Sequence, residues 1–234
     1  MECILSTFQQ HAVQIRGDRS LYWQRERTLF VADLHLGKDK AFRAQGIPVP
    51  TGATKDDLER LADALRATHA ERLVILGDLL HGPEGCSSEL IDTLRQWRRG
   101  FKALLITLVL GNHDRRVAIP TEWNLDLHDG TLDIGPYACC HEPPTTPQRF
   151  YLAGHLHPVV QLDARGRMRQ RLRCLWVRPT GAVLPAFGSF TGGYRIRPSK
   201  GDQVWAFRDG QVAAVSLSRT SEETGPRRKA EQHR

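Results

Sequence analysis

Cysteine is scarce in this chain and badly placed for cross-linking. The 234 residues hold five, Cys3, Cys86, Cys139, Cys140 and Cys174. The number is odd, the one close pair is adjacent, and no CxxC occurs, which excludes a disulfide framework and a zinc knuckle. Reduced thiols fit a cytoplasmic protein. No stretch approaches the roughly 18 apolar residues of a membrane span, so no membrane partner is expected. The first ten residues, MECILSTFQQ, have neither a basic region nor a long apolar run, and no secretory signal is expected. Aromatics make up 7% of the chain. Trp23, Trp97, Trp123, Trp176 and Trp205 are too scattered to form a stacking platform, and they read as packing residues.

What is present is an ordinary globular composition, 40% hydrophobic and 25% charged. The net charge of +7 points weakly to a polyanionic partner, and the basic excess sits mostly in the C-terminal third. "TLFVADLHLG" (28–37), "ERLVILGDLLHG" (71–82) and "FKALLITLVLGNHD" (101–114) each read as a strand running into a polar loop. Between them, "TKDDLERLADALRATH" (54–69) and "SSELIDTLRQWRR" (87–99) read as helices. Leu58, Leu61, Ala62 and Leu65 form one apolar stripe, and Leu90, Ile91, Leu94 and Trp97 form another. Thr54 is a candidate cap for the first helix, with Asp57 three residues on. The β-α-β-α-β order predicts a parallel sheet. The second half has short β-like runs at 131–140, 149–153, 158–163, 172–177, 182–187 and 203–217, which predict a mixed or antiparallel second sheet. The expectation is one domain over 1–217 and a flexible polar tail over 218–234.

Each early strand ends in groups that bind metals. The first gives Asp33 and His35, the second Asp78, and the third Asn112, His113 and Asp114. His141 follows in "CCHEPP", and His155 and His157 in "LAGHLHP". Sites in open α/β sheets form beyond the carboxyl ends of the strands, so these loops should meet at one edge. In D-x-H and H-x-H, residues two apart on a strand would point the same way. Carboxylates, an amide oxygen and imidazoles suit Mn²⁺, Fe²⁺ or Zn²⁺. Asp78 could bridge two such ions, the arrangement in which a hydroxide attacks phosphorus in line. Any one of these residues alone is an ordinary loop group. Their joint occurrence at successive strand ends is not.

The order D-x-H, G-D, G-N-H-D, H, G-H-x-H resembles the calcineurin-like metallophosphoesterase superfamily over residues 28–158. That resemblance implies an α/β (α+β) two-sheet sandwich flanked by helices, αββα, with two divalent metal ions. It implies one ion on Asp33, His35, Asp78 and His157, and the other on Asp78, Asn112, His141 and His155. His128 is the alternative to His141. It further implies that His113 sits near the scissile phosphate and that Asp114 orients it.

"DLHLGKDKAFRAQGIPVP" and "AVLPAFGSFTGG" are similar to the bacterial ligase-associated DNA-damage-response metallophosphoesterases. These imply a Mn²⁺-dependent DNA endonuclease or phosphodiesterase in DNA repair, acting on DNA, a single strand being one option. Such an enzyme would work beside a DNA ligase, a helicase and another nuclease, an exonuclease. Lys38, Arg43, Arg115, Arg116 and His81 stand next to the ligand loops as candidate substrate contacts. "YRIRPSK" (194–200) reads as a charged edge strand or a basic lip for DNA. Two other readings compete: a phosphoesterase for a small nucleotide or a phosphoprotein, and a catalytically silent repair scaffold.

Overall fold

The structure, a computed structural model, describes residues 1–163 and 169–216. The segment 218–234 and the domain boundary at residue 217 lie outside those residues. The first sheet is built from β1 (Cys3–Phe8), β2 (His11–Arg16), β3 (Leu21–Trp23), β4 (Thr28–Val31), β5 (Arg72–Ile75), β6 (Leu105–Val109) and β7 (Asp126–His128), in sequence order across the sheet. β1 to β4 are antiparallel, and β4 to β7 are parallel. Three helices, α1 (Lys38–Ala44), α2 (Ala53–Thr68) and α3 (Ser88–Arg99), lie between the parallel strands in sequence.

The central strands carry apolar residues on both faces because both faces are covered. Leu29, Val31, Leu73, Ile75, Ile106 and Leu108 meet the helices, packing on Leu58, Leu61, Leu65, Leu90 and Leu94. Phe30, Val74 and Val109 point the other way, into the core shared with the second sheet. The two apolar stripes of the helices therefore do what their spacing predicts.

The second sheet holds β8 (Leu132–Ile134), β9 (Tyr137–Cys139), β10 (Tyr151–Ala153), β11 (Pro158–Asp163), β12 (Arg169–Arg178), β13 (Gly181–Val183), β14 (Tyr194–Arg195), β15 (Gln203–Arg208) and β16 (Gln211–Ala214). It is mixed: β10 runs parallel to β9 and β13, while β11, β13 and β15 are antiparallel to β12. Tyr137, Leu152, Leu175, Ala182, Leu184 and Phe207 close the shared core. This is the expected two-sheet α/β sandwich. Helices α2 and α3 pack on the first sheet, and the other face of the second sheet carries Val160, Cys174, Ile196 and Val204.

Three local expectations need correction. Residues 1–27, given no element from sequence, form the antiparallel margin of the first sheet. The stretch from Lys38, likewise given no element from sequence, opens with helix α1. Thr54 does not cap α2: Gly52 stands at that position with φ 95°, and Ala53 begins the helix. The Thr54 hydroxyl instead accepts the Gly37 N–H at 3.1 Å and donates to Asp39 at 3.2 Å, tying the start of α1 down. Ser87 does cap α3, accepting the Leu90 N–H.

Candidate metal centre

The carboxyl ends of β4, β5, β6, β9 and β10 open onto one place. Asp33, Asp78, Asn112, His141 and His155 each stand two or three residues past a strand end, and His157 stands just before β11. The strand alternation invoked for D-x-H and H-x-H does not apply, because these pairs lie beyond the strands. Left-handed backbone takes its place: φ is 53° at Asp33, 48° at His35, 51° at Asp78, 65° at His155 and 48° at His157. Such conformations cost about 1–3 kcal/mol each in non-glycine residues and collect at functional sites. Here they turn successive side chains into one cavity.

Two groups of donor atoms result. In one, His35 Nε2 and His157 Nε2 are 3.2 Å apart, with Asp33 Oδ1 3.5 Å from His157 Nε2. In the other, His141 Nε2 is 3.0 Å from Asn112 Oδ1 and 3.1 Å from His155 Nδ1. Asp78 lies between them: its Oδ2 is 3.7 Å from His35 Nε2 and 3.6 Å from His141 Nε2. Its Oδ1 accepts the His113 backbone N–H at 3.0 Å, which fixes the carboxylate and leaves Oδ2 facing both groups. Asp33 is held likewise, accepting the His155 backbone N–H on both oxygens at 3.1 and 2.9 Å.

The proton positions show why such a cluster suits cations. His141 Nδ1 lies 3.0 Å from the Leu76 carbonyl, a position that makes it the protonated nitrogen. Its Nε2 is then a bare lone pair, yet it faces an amide oxygen and a second imidazole. Such a lone pair among oxygen and imidazole neighbours suits a positive ion, and a carbonyl behind the ring is the usual support for a ligating histidine. His35 adds to this. Burial first, and the Lys38 charge second, push its pKa down to about 2, so the ring stays neutral and able to ligate. Two glycines make room: a Cβ on Gly77 would come 2.1 Å from His141 Nδ1, and one on Gly111 would come 2.1 Å from Asp78 Oδ1. The glycines of the G-D and G-N-H motifs thus allow loops to approach until the ligand atoms meet.

His113 and His81 form a wall beside the first group. Their rings stack at 5.1 Å, and both lie edge-on to His35. The His113 ring is oriented by the His81 backbone carbonyl, which its Nδ1 meets; its Nε2 points inward, 4.0 Å from Asp78 Oδ2. This corrects the role expected of Asp114. Its buried carboxylate accepts backbone N–H groups of Leu80 at 3.0 Å and Gly111 at 3.1 Å, and so pins two ligand loops together rather than the ring. Burial pushes the Asp114 carboxyl above its usual range, and the two amides oppose that. The ring of His128 turns to the Thr131 carbonyl, so His141 and not its alternative joins the cluster.

The candidate substrate contacts divide. Lys38 is half-buried and close enough to Asp78 and Asp33 for their charges to act on it, although burial lowers its pKa overall. His81 lies in the wall, its pKa lowered to about 4, mainly by burial and then by Lys38. Arg43, in contrast, is tied to Asp39 at 3.2 Å and to the Pro50 carbonyl at 3.1 Å. Arg115 is exposed and pairs with Asp129; Arg116 is exposed as well. Sequence reading missed the support behind the site. Gly188 donates its N–H to the Asp33 carbonyl, Ser189 bonds buried Asp57, and Arg173 donates to the Ser189 and Thr191 carbonyls. The stretch "AVLPAFGSFTGG" was the available signal.

Comparison with known proteins decides the family. The profile of the calcineurin-like phosphoesterases matches residues 26–178. The chain belongs to that family. It is accordingly a metal-dependent phosphoesterase, a hydrolase. Its structure is similar to that of the Pseudomonas putida nuclease MPE, with 30% identity and a TM-score of 0.79 over 92% of this chain and 100% of that one. It also matches Yfce, a phosphoesterase from E. coli, at 17% identity and a TM-score of 0.40, over 82% of this chain and 99% of that one. No curated protein sequence matches. Among the described residues, no helix of this phosphoesterase is long and apolar enough to cross a membrane.

Proposed function

We propose that this phosphoesterase is a DNA endonuclease, a phosphodiesterase acting in DNA repair. The observation that carries the reading is the likeness to a nuclease along its whole length at 30% identity. The donor set supports it. Asp33, His35, Asp78 and His157 would hold one divalent cation, and Asp78, Asn112, His141 and His155 the other. Manganese is the foremost candidate, since imidazole and oxygen donors without thiolate suit it. Bound cations of this kind polarise phosphoryl oxygens and lower the pKa of water.

The chain's own groups do the rest. With both ring nitrogens protonated, His113 would give its Nε2 proton to the leaving oxygen, and the His81 carbonyl keeps its ring in place. Lys38 and the His81 ring hold the phosphate. The cytoplasm is the proposed setting, and a DNA ligase, a helicase and an exonuclease are the proposed working partners.

The test compares nicking of circular single-stranded DNA with turnover of nucleotides, phosphopeptides and an aryl phosphodiester, after chelation and with each metal restored. DNA nicking that EDTA abolishes and Mn²⁺ restores best is expected. Turnover confined to small substrates would move the function to nucleotides or phosphoproteins. Metal binding without any hydrolysis would leave a scaffold.

A further inference from the structure

A cavity of about 550 Å³ opens among arginines from both sheets and from α2. Its walls come from the Gly17–Arg19 turn, Arg60 of α2, Arg171–Arg173 of β12, and the turn from β15 to β16 at Phe207–Gly210, with Met1 beside it. Strand register places the Gly17–Arg19 turn and β12 at the edge that carries the metal centre. β2, β3 and β4 are antiparallel, with Leu21 opposite both Ile15 and Phe30. The turn holding Arg19 therefore stands next to the carboxyl end of β4, where Asp33 begins the ligand loop. Across the other sheet, Arg173 pairs with Val159, two residues after His157. Between cavity and metal centre runs the 187–191 segment, whose Gly188 N–H bonds the Asp33 carbonyl.

The cavity holds more positive charge than its acids can offset. Asp18 is taken up by Arg16 and Ser20, Asp209 by Arg208, and Asp57 pairs with Arg60. Among the described residues, Arg19, Arg171 and Arg173 have no carboxylate partner. Arg19 lies over the Phe187 ring at 6.0 Å. Arg173 meets only neutral acceptors, the Ser189 and Thr191 carbonyls and the Thr191 hydroxyl, all through one terminal nitrogen. Arg19 and Arg173 are half-buried and Arg171 is exposed; partly desolvated guanidinium groups without counter-charge favour a bound anion. Arg171 and Arg173 share one face of β12, roughly 6.6 Å apart by strand geometry. Successive phosphates of an extended nucleic-acid strand are spaced on that scale.

We infer that this cavity is a phosphate-binding groove that holds the backbone of a nucleic-acid strand flanking the phosphodiester at the metal centre. The inference rests on the nuclease reading and adds to it the path of the substrate. Arg19, Arg171 and Arg173 contact phosphate oxygens, which position a strand without reading its sequence. Arg60 adds to the wall and lies over the Phe187 ring at 4.4 Å.

The experiment uses the full chain with Mn²⁺, a single-stranded oligonucleotide of about 20 residues, and an aryl phosphodiester. Arg19→Gln and Arg171→Gln remove charge at sites that touch neither ligand loop. Together they should raise KM for the oligonucleotide by roughly tenfold and flatten the log–log salt dependence of binding by about 0.7 for each arginine removed. Turnover of the aryl phosphodiester should be unchanged. Unaltered KM and salt slope with the oligonucleotide overturn the groove while leaving the nuclease reading intact. Wild-type protein that binds the oligonucleotide through these arginines but never cuts it overturns the nuclease reading alone. Wild type that neither binds nor cuts overturns both. Equal losses on both substrates would mean that the arginines support the fold rather than the strand.

Discussion

Replacing Asp114 by alanine should loosen the protein more than it blunts any proton transfer. The carboxylate is 1% exposed and accepts two backbone N–H groups, one from each of two ligand loops. Alanine leaves both donors buried and unpartnered. Each such loss costs about 1–3 kcal/mol, so the sum is about 2–6 kcal/mol. Against a total stability of about 5–15 kcal/mol, that is a large fraction. At about 2–4 °C per kcal/mol for a chain of this size, a mid-range loss lowers Tm by about 10 °C. Urea and thermal unfolding in EDTA measure it without the stabilisation that bound metal adds. Kinetics at a temperature where both proteins are folded complete the comparison. A stability change below about 1 kcal/mol would refute the reasoning. So would a variant that is stable yet loses activity only with poor leaving groups, because the carboxylate would then be acting through the His113 ring.

The remaining expectations concern the metal centre. Asp78→Ala should abolish turnover of every phosphoester and reduce metal bound per chain; retention of a tenth of the activity sinks the bridging assignment. His113→Ala should bind two metals normally and lose about 10²–10⁴ in rate on DNA, with a smaller loss on an aryl phosphodiester whose leaving group departs unprotonated. Equal losses would restrict His113 to positioning. Gly77→Ala should lower both stability and metal affinity, because its Cβ displaces the His141 ring from the Leu76 carbonyl; calorimetric titration showing wild-type affinity would contradict this. In chelated protein, His35 stays neutral while the unfolded imidazole titrates near 6.5. Unfolding then takes up a proton below that pH. The contribution of His35 is fully present above pH 6.5 and is lost by about 1.4 kcal/mol per unit as pH falls. His35→Gln should remove that part of the slope between urea midpoints at pH 7 and 5.

The pattern of apolar strands and amphipathic helices in the first half was legible in sequence because local periodicity and burial agree there. TLFV, RLVI and LITLV are apolar on both faces, and the helices between them carry one stripe each. The ligand residues were legible for a similar reason: metal chemistry restricts residue type, and each stands close to a strand end. The N-terminal strands were not legible. Cys3–Phe8 and His11–Arg16 alternate weakly and become strands by pairing with each other and with the sheet margin.

What faces what was decided by tertiary structure alone. His113 and Asp114 are adjacent in sequence, yet one ring turns to a carbonyl 32 residues away and the other carboxylate to an amide 34 residues away. Arg43 looks as available as Lys38 in sequence, but helix α1 turns it to Asp39 while Lys38 stays beside the ligands. Arg19, Arg60 and Arg173 share no motif. They meet because β2 and β12 end at the same edge and α2 passes over it. Residue type and spacing determine which chemistry is possible; the left-handed loop backbones, glycine contacts and strand registers decide which side chains reach one another to perform it.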